Sequence, residues 1–182
     1  MSWLEWWGLT KRGYTVDDTS KKTALRMIPY GLYILTAESE DQNISAATVN
    51  WVTQASFTPP LVAVGVKVDS QIHGIIKSSQ TFALNILGKG QLDLAFTFFK
   101  PAQREGQTIG GQPFRVGTTG APILENTPAF VECRLVDSIE AGDHSVFVGE
   151  VVDAGVSQEP EGRADEATLW LKELGEKAFY GG

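Results

Sequence analysis

At 182 residues, with 42% hydrophobic and 20% charged side chains, the chain can bury a substantial core as one compact domain, and its composition is that of a globular protein rather than a disordered one. A formal net charge of −7 and the lack of any Lys/Arg cluster exclude a broad nucleic-acid surface, while a local basic patch for one small phosphate is still allowed. One cysteine, Cys133, and two histidines, His73 and His144, exclude an internal disulfide framework and a cysteine-based zinc site and make a protein-only metal centre improbable.

In chain order, the opening "MSWLEWWGLTKRGY" has no basic segment followed by an apolar one, so it does not read as a secretory signal. Its three tryptophans are expected to cover a core or a partner. The apolar runs of the chain are far shorter than the ~20 residues of a membrane span, and a soluble, cytoplasmic protein is expected. Residues 17–28, "DDTSKKTALRMI", predict a short helix with acidic residues first, basic residues after them, and Pro29 beyond its end. Strands are predicted at 31–37, at 43–57 after the polar turn "ESEDQ", and at 61–68, where "LVAVGVKV" is apolar enough for burial on both faces.

"DSQIHGIIKSS" (69–79) sets Ile72, Ile75 and Ile76 on one helical face, with Ser70 as N-cap. A strand at 81–87 and a helix at 91–100, stopped before Pro101, follow. The stretch 101–122, rich in glycine and proline, predicts a long loop with short extended pieces, a kind of segment that is usually functional or interface-forming. Two further strands, 128–140 and 145–156, flank the turn "AGDH", and the tail has a mixed pattern. Many strands and two short helices predict a mainly β, α+β fold, a β-barrel with helical additions. No Gly-x-Gly-x-x-Gly follows a strand, so the usual dinucleotide fingerprint is missing.

Three stretches carry candidate chemistry. In "NWVTQASFTPPLVAVGV" (50–66), hydroxyls and amides precede the apolar run; alternation puts Trp51, Thr53 and Ala55 on one face and Asn50, Val52, Gln54 and Ser56 on the other. A solvated edge strand accounts for this. So does a flavin ring, whose one edge wants apolar contact and whose other edge wants donors and acceptors. In "VKVDSQIHG" (66–74) a strand gives way to a helix, and free amides, Ser70 and Lys67 suit a phosphate, although ordinary capping explains Ser70 equally well. In "AGDH", His144 is either a turn residue or a group that orients a nicotinamide or stabilises charge on a reduced flavin. Cys133, inside an alternating strand, reads as a structural thiol.

These stretches in this order, "TVNWVTQASFTPPLVAVGV", "SQIHGIIKSSQTFALNIL", "LAFTFFKP" and "VECRLVDSIEAGDHSVFVGEV", together with the closing "FYGG", resemble the flavin reductase-like family of FMN-binding split barrels. The flavoredoxin-like members and the flavin reductase domains of diiron-linked flavoproteins are the nearest in pattern. The resemblance covers residues 25–156 and leaves 1–24 and 157–182 as extensions of a single domain. It implies a Greek-key split barrel with short flanking helices, a homodimer, and FMN held in a groove at or near the subunit interface. By position, Asn50, Trp51, Val52 and Thr53 would line the isoalloxazine, with Ala55 and Ser56 near the ribityl chain or phosphate. Lys67, Ser70, Gln71, Ile72 and His73 would surround the phosphate, largely through backbone amides and the Ser70 hydroxyl, with Asn85 close by. Phe99 and Lys100 would approach from the second helix, and His144 would face the flavin or the nicotinamide. Gln71-Ile72 stands where many relatives carry Ser or Arg followed by Thr, so the hydroxyl those relatives have there is absent from this chain.

The expected activity is NAD(P)H-dependent reduction of flavin, FMN or alternatively FAD, by hydride transfer. An FMN-holding electron carrier serving a redox protein partner is the alternative, and a non-enzymatic flavin-binding module a third. NADH and NADPH are not distinguished.

Overall fold

The computed structural model describes residues 16–176 and 178–181; the tryptophan-rich start "WLEWW" lies outside the described residues. The chain divides into two units, one whose described residues are 16–29 and 179–181, and a larger one, Tyr30–Ala178.

The smaller unit contains helix α1 (Asp18–Arg26). The Asp17 carboxylate caps it, accepting from the Ser20 amide at 2.7 Å, and Lys21 pairs with Asp18 one turn apart at 2.6 Å. The helix ends before Pro29, as its sequence requires. At its C-terminus the Arg26 guanidinium lies 4.4 Å from the centre of the Phe179 ring and donates to the Gly181 carbonyl.

The larger unit runs β1 (Tyr33–Glu38), β2 (Ile44–Val49), β3 (Val52–Phe57), β4 (Pro60–Lys67), α2 (Gln71–Ser79), β5 (Thr81–Ile86), α3 (Leu92–Thr97), β6 (Arg104–Glu105), β7 (Thr108–Ile109), β8 (Gln112–Val116), β9 (Pro122–Leu124), β10 (Ala129–Ile139) and β11 (His144–Val156). Seven strands form one antiparallel sheet in the order β2-β1-β5-β10-β11-β4-β3. The stretch predicted as a single strand over 43–57 is two: β2 and β3 stand at opposite ends of this order, joined only by Asn50 and Trp51. Two residues span little more than ~7 Å. The sheet must therefore curl until its edges lie side by side. That curl makes the barrel, and the dipeptide marks its split.

Strand alternation sorts the core into two bodies. Leu35, Val64, Val66, Phe82, Leu84, Cys133 and Phe147 face inward, where Ile72, Ile75 and Ile76 of α2 close over them. Ile34, one residue from Leu35, faces the other way and packs with Leu94, Ala95 and Phe98 around α3, and with Ile109, Phe114 and Leu124. Ile109 and Phe114 belong to the segment 101–122 predicted as a loop with extended pieces, Leu124 lies just past it, and β6 to β9 pair there as a small four-stranded sheet. β4 is buried on one face only. Val62, Val64 and Val66 are inside, while Leu61, Ala63 and Gly65 are half-covered. The segment after residue 156, expected as an extension, joins the core: Leu169 is fully buried, and its backbone bonds to Leu32 and Leu87 at 2.8 Å each.

Two buried polar side chains hold the small sheet in place. Asn85 donates to the Ile34 carbonyl and to Thr36 Oγ1, both at 3.1 Å, and accepts from the Leu124 amide at 2.8 Å. Glu132 accepts from the amides of Thr118 at 2.8 Å and Thr119 at 2.7 Å, and from the Thr119 hydroxyl at 2.6 Å. Glu132→Ala strands those three donors and is expected to cost about 2–4 kcal/mol, read as a lower urea midpoint. An unchanged midpoint would mean that water replaces the carboxylate. Cys133 is a core thiol, pushed up to about 12 by burial and, to a smaller extent, by the neighbouring Glu132 charge, so it has no thiolate character near neutrality.

Candidate functional site

β4 and β11 pair antiparallel with Gly65 opposite Val146, Val66 opposite Ser145 and Lys67 opposite His144. The pairing carries on into the turns, where the Val68 amide donates to the Asp143 carbonyl at 3.0 Å. The end of β4, the start of β11 and the start of α2 therefore converge. Alternation places Val66, Ser145 and Phe147 inside the barrel, and Gly65, Lys67, His144 and Val146 on its outer face.

Trp51, at the split, lies across this outer face. Its carbonyl accepts from the Gly65 amide at 2.8 Å. A Cβ at Gly65 would stand 3.0 Å from Trp51 Cε3 and 3.2 Å from Trp51 Cβ, so the bare backbone is what lets the side chain lie this close. The indole meets the imidazole of His144, ring centres 4.5 Å apart and tilted by 52°. His144 is largely covered, with its side chain 13% exposed, and Nδ1 lies 3.0 Å from the Asp143 carboxylate. The hydrogen bond to His144 and its charge hold the Asp143 carboxyl below its usual range. Lys67 reaches Asp69 at 2.9 Å and likewise lowers the Asp69 carboxyl. The rim thus sets the Lys67–Asp69 ion pair and the His144–Asp143 hydrogen bond beside the Trp51 ring.

Ser70 occupies the N-cap position of the nine-residue α2, but its hydroxyl donates backward to the Lys67 carbonyl at 2.7 Å and makes no capping bond. Gln71 is exposed, while the side chains of Ile72 and His73 turn into the core. Only the backbone amides of these last two can serve a ligand at the rim. His73 is 7% exposed, with Nε2 at 2.8 Å from Ser145 Oγ and its ring 5.0 Å from that of Phe147.

On β3, Val52 is half-buried and Thr53, Gln54 and Ala55 are exposed. A register shift between Gln54 and Ser56 leaves Ala55 as a bulge, so the simple alternation expected from 50 to 56 breaks there. Asn50 is buried at the split. The C-terminal end of α3 is tied to β2: the Thr48 amide donates to the Phe98 carbonyl at 3.0 Å and its hydroxyl to the Ala95 carbonyl at 2.7 Å. This brings the exposed Phe99 and Lys100 to the chain just before Asn50. Phe99 meets Phe96 edge-on at 5.3 Å.

Asn50, Trp51, Lys67, Ser70, Gln71 and His144 thus gather where the split meets the β4–β11 rim, with β3 beside them. Asn85 is a correction. It lies on the face of β5 toward the small sheet, fully buried, with its amide bonded to Ile34, Thr36 and Leu124, apart from the rim residues. Sequence reading passed over Asp143, Asp69 and Gly65. Asp143 read as part of a turn and Asp69 as the start of a helical stretch, while a glycine inside an apolar strand is itself a signal of close approach. Among the described residues, no group of three His, Cys, Asp or Glu side chains could hold a metal ion, and no helix is long and apolar enough to cross a membrane.

This barrel, split at a dipeptide and rimmed by a strand-to-helix turn, defines a class. Residues 25–173 match the "Flavin reductase like domain" family, and the chain belongs to it. It is 33% identical over 135 residues, 73% of its length, to a high molecular weight rubredoxin of Moorella thermoacetica, and covers 58% of that protein. It is 36% identical to the reductase component of a 4-nitrophenol 4-monooxygenase/4-nitrocatechol 2-monooxygenase of Rhodococcus opacus, over 76% of this chain and 72% of the relative. Among solved structures, an NADH:FAD oxidoreductase of Streptomyces globisporus superposes with a TM-score of 0.66 at 26% identity, covering 79% of this chain and 87% of the other. The chain spans little more than half of the rubredoxin's length and about a quarter of a similar diflavin flavoprotein's.

Proposed function

We propose that the protein is an NAD(P)H-dependent flavin reductase that binds FMN, with FAD as the alternative flavin, at the split and the β4–β11 rim. The observation that carries this reading is the Trp51–His144 pair beside the Lys67–Ser70 turn: an aromatic floor next to amides, a hydroxyl and an ammonium. Such a set fits a planar ring joined to a phosphate. The relatives named as reductases support the nicotinamide half of the reading.

When bound, the flavin supplies hydride-acceptor chemistry and the nicotinamide supplies the hydride. The chain's own part is to position and to enclose. Asn50, Trp51, Val52 and Thr53 border the ring, and Ala55 and Ser56 border the ribityl chain. The first-turn amides of α2 receive the phosphate, assisted by Ser70 and Lys67. Phe99 and Lys100 approach from the chain just past the end of α3. His144, its Nδ1 held by Asp143, sets the face against which the nicotinamide lies. Hydride transfer between the two rings requires no residue to move a proton. The working form is a cytoplasmic homodimer whose groove is completed at the interface; sedimentation showing only monomer with flavin normally bound would remove that element.

The test is the visible spectrum of the purified protein and its response to NADH or NADPH without oxygen. A yellow protein that bleaches rapidly bears the reading out. A yellow protein inert to both nucleotides but reduced by a protein donor would make it an electron carrier, the reading favoured by its likeness to a rubredoxin. A colourless protein that takes up no flavin would overturn both.

The phosphate contact has its own test. The Ser70 hydroxyl must leave the Lys67 carbonyl to reach a phosphate, exchanging a neutral acceptor for an anionic one. Ser70→Ala is therefore expected to weaken FMN by about 1 kcal/mol, close to fivefold, and to leave riboflavin unchanged. Equal losses for both ligands would move the phosphate elsewhere.

A further inference from the structure

We propose that His73 is a positioning residue: from inside the barrel it ties the first turn of α2 to the strand that carries His144, and its protonation slackens that tie and weakens flavin binding at acid pH. The inference rests on the placement of the phosphate at that first turn. Three observations carry it. His73 is the third residue of α2, and Nε2 lies 2.8 Å from the hydroxyl of Ser145, the residue next to His144 in β11. Ser145 is fully buried, as is Phe147, whose ring centre is 5.0 Å from the imidazole. Ser70, at the head of the same helix, bonds back to Lys67 of β4, whereas the imidazole reaches across to β11.

The surroundings favour a neutral ring. Burial pushes His73 below the ordinary histidine range, and Lys77 on the next turn of α2 adds to that, against an opposing pull from Glu140 beyond the end of β10. Glu140 is itself paired with Lys77 at 2.8 Å. β11 faces the ring with Ser145 and Phe147, neither of which titrates near neutrality. A protonated ring can still donate Nε2–H to the Ser145 hydroxyl, so what loosens the tie is the charge itself, which is buried with the ring. The tight state is fully present above the ordinary value near ~6.5 and gives way progressively as pH falls below it, because the slack, hydrated state takes up the proton. One proton taken up by the slack state alone is worth up to about tenfold in affinity per pH unit below that value.

The experiment is FMN and riboflavin binding, by flavin fluorescence quenching from pH 8 to 5, on the wild type, His73→Gln, Ser145→Ala and His144→Asn. Glutamine keeps a hydrogen-bonding group at this position and cannot be protonated. FMN loses some affinity at acid pH in every protein, because its own phosphate titrates near ~6. The wild type is expected to lose up to about tenfold more than His73→Gln by pH 5.5, and to lose riboflavin affinity as well through displacement of the β11 rim. His144→Asn separates the two histidines: a pH slope retained in this variant assigns the titration to the inner one, and a flattened slope overturns that assignment. Ser145→Ala cuts the tie without removing the imidazole and is expected to bind FMN several-fold more weakly even at pH 8; it decides the matter if His73→Gln does not fold. Parallel pH slopes for wild type and His73→Gln, or wild-type affinity in Ser145→Ala, overturn the inference while flavin binding itself stands. Absence of flavin binding in the wild type at every pH overturns the site reading instead.

Discussion

His144→Ala is expected to slow anaerobic reduction of the bound flavin by NAD(P)H roughly 10- to 100-fold, with FMN affinity held within about twofold. The imidazole is not a rim ornament: it is largely covered, packed on Trp51 with ring centres 4.5 Å apart, and held at Nδ1 by Asp143. In the proposed site its removal would leave the nicotinamide without a wall on that side. Loss of alignment acts on the rate, because hydride transfer needs the donor and acceptor atoms at close contact in one orientation. In the proposed site the flavin would retain the phosphate contacts of α2 and the border of β3, so its affinity is expected to change little. Stopped-flow reduction over a range of nucleotide concentrations is the measurement. A wild-type rate would return His144 to the status of a turn residue. A fall in flavin midpoint potential with nucleotide affinity unchanged would assign it instead to stabilising the reduced ring.

Asn85→Ala is expected to have the larger effect on the fold, about 2–4 kcal/mol of a total stability on the order of 5–15 kcal/mol. One side chain satisfies the Ile34 carbonyl, Thr36 Oγ1 and the Leu124 amide, and so joins β5, β1 and β9 at a fully buried point. Alanine leaves those partners without the amide and opens a void between the barrel and the small sheet. For a chain of this size the melting temperature is expected to drop by roughly 5–12 °C. FMN affinity, measured well below the new melting temperature, is expected to remain that of the wild type. Loss of flavin from a variant of normal stability would instead make Asn85 a ligand-contacting residue.

Most elements were legible in the sequence because they rest on local rules. The apolar, β-rich runs "TFALNIL" and "SVFVGEVV", the Ile72/Ile75/Ile76 face of α2, and the stop before Pro29 each depend on a few neighbouring residues, whereas the helix expected over 91–100 ends early, at Thr97. The two ends of the candidate site were legible for the same reason, since a hydroxyl and a lysine where a strand meets a helix, and a Gly-Asp-His turn, are local patterns. Asn85 was misread because a polar side chain inside a strand looks the same whether it awaits a ligand or bridges two sheets. Only the position of Leu124, far along the chain, decides between them. The buried sheet at 104–124 was underread because its strands are too short to show a period.

By itself the sequence determined that the chain is a strand-rich protein with a short helix before and after β5, and it determined which residues at each junction carry polar chemistry. The tertiary structure decided which of those residues share a face. His73 and His144 show why. Both sit at the β4–β11 rim, yet one bonds to Ser145 inside the barrel and the other packs on Trp51 outside it. Successive side chains of a strand point to opposite faces, so Ser145 and His144 are separated by the sheet itself. Which face is inside follows from the direction in which the sheet curls to bring β2 and β3 together at Asn50 and Trp51, a property of all seven strands and of no single segment.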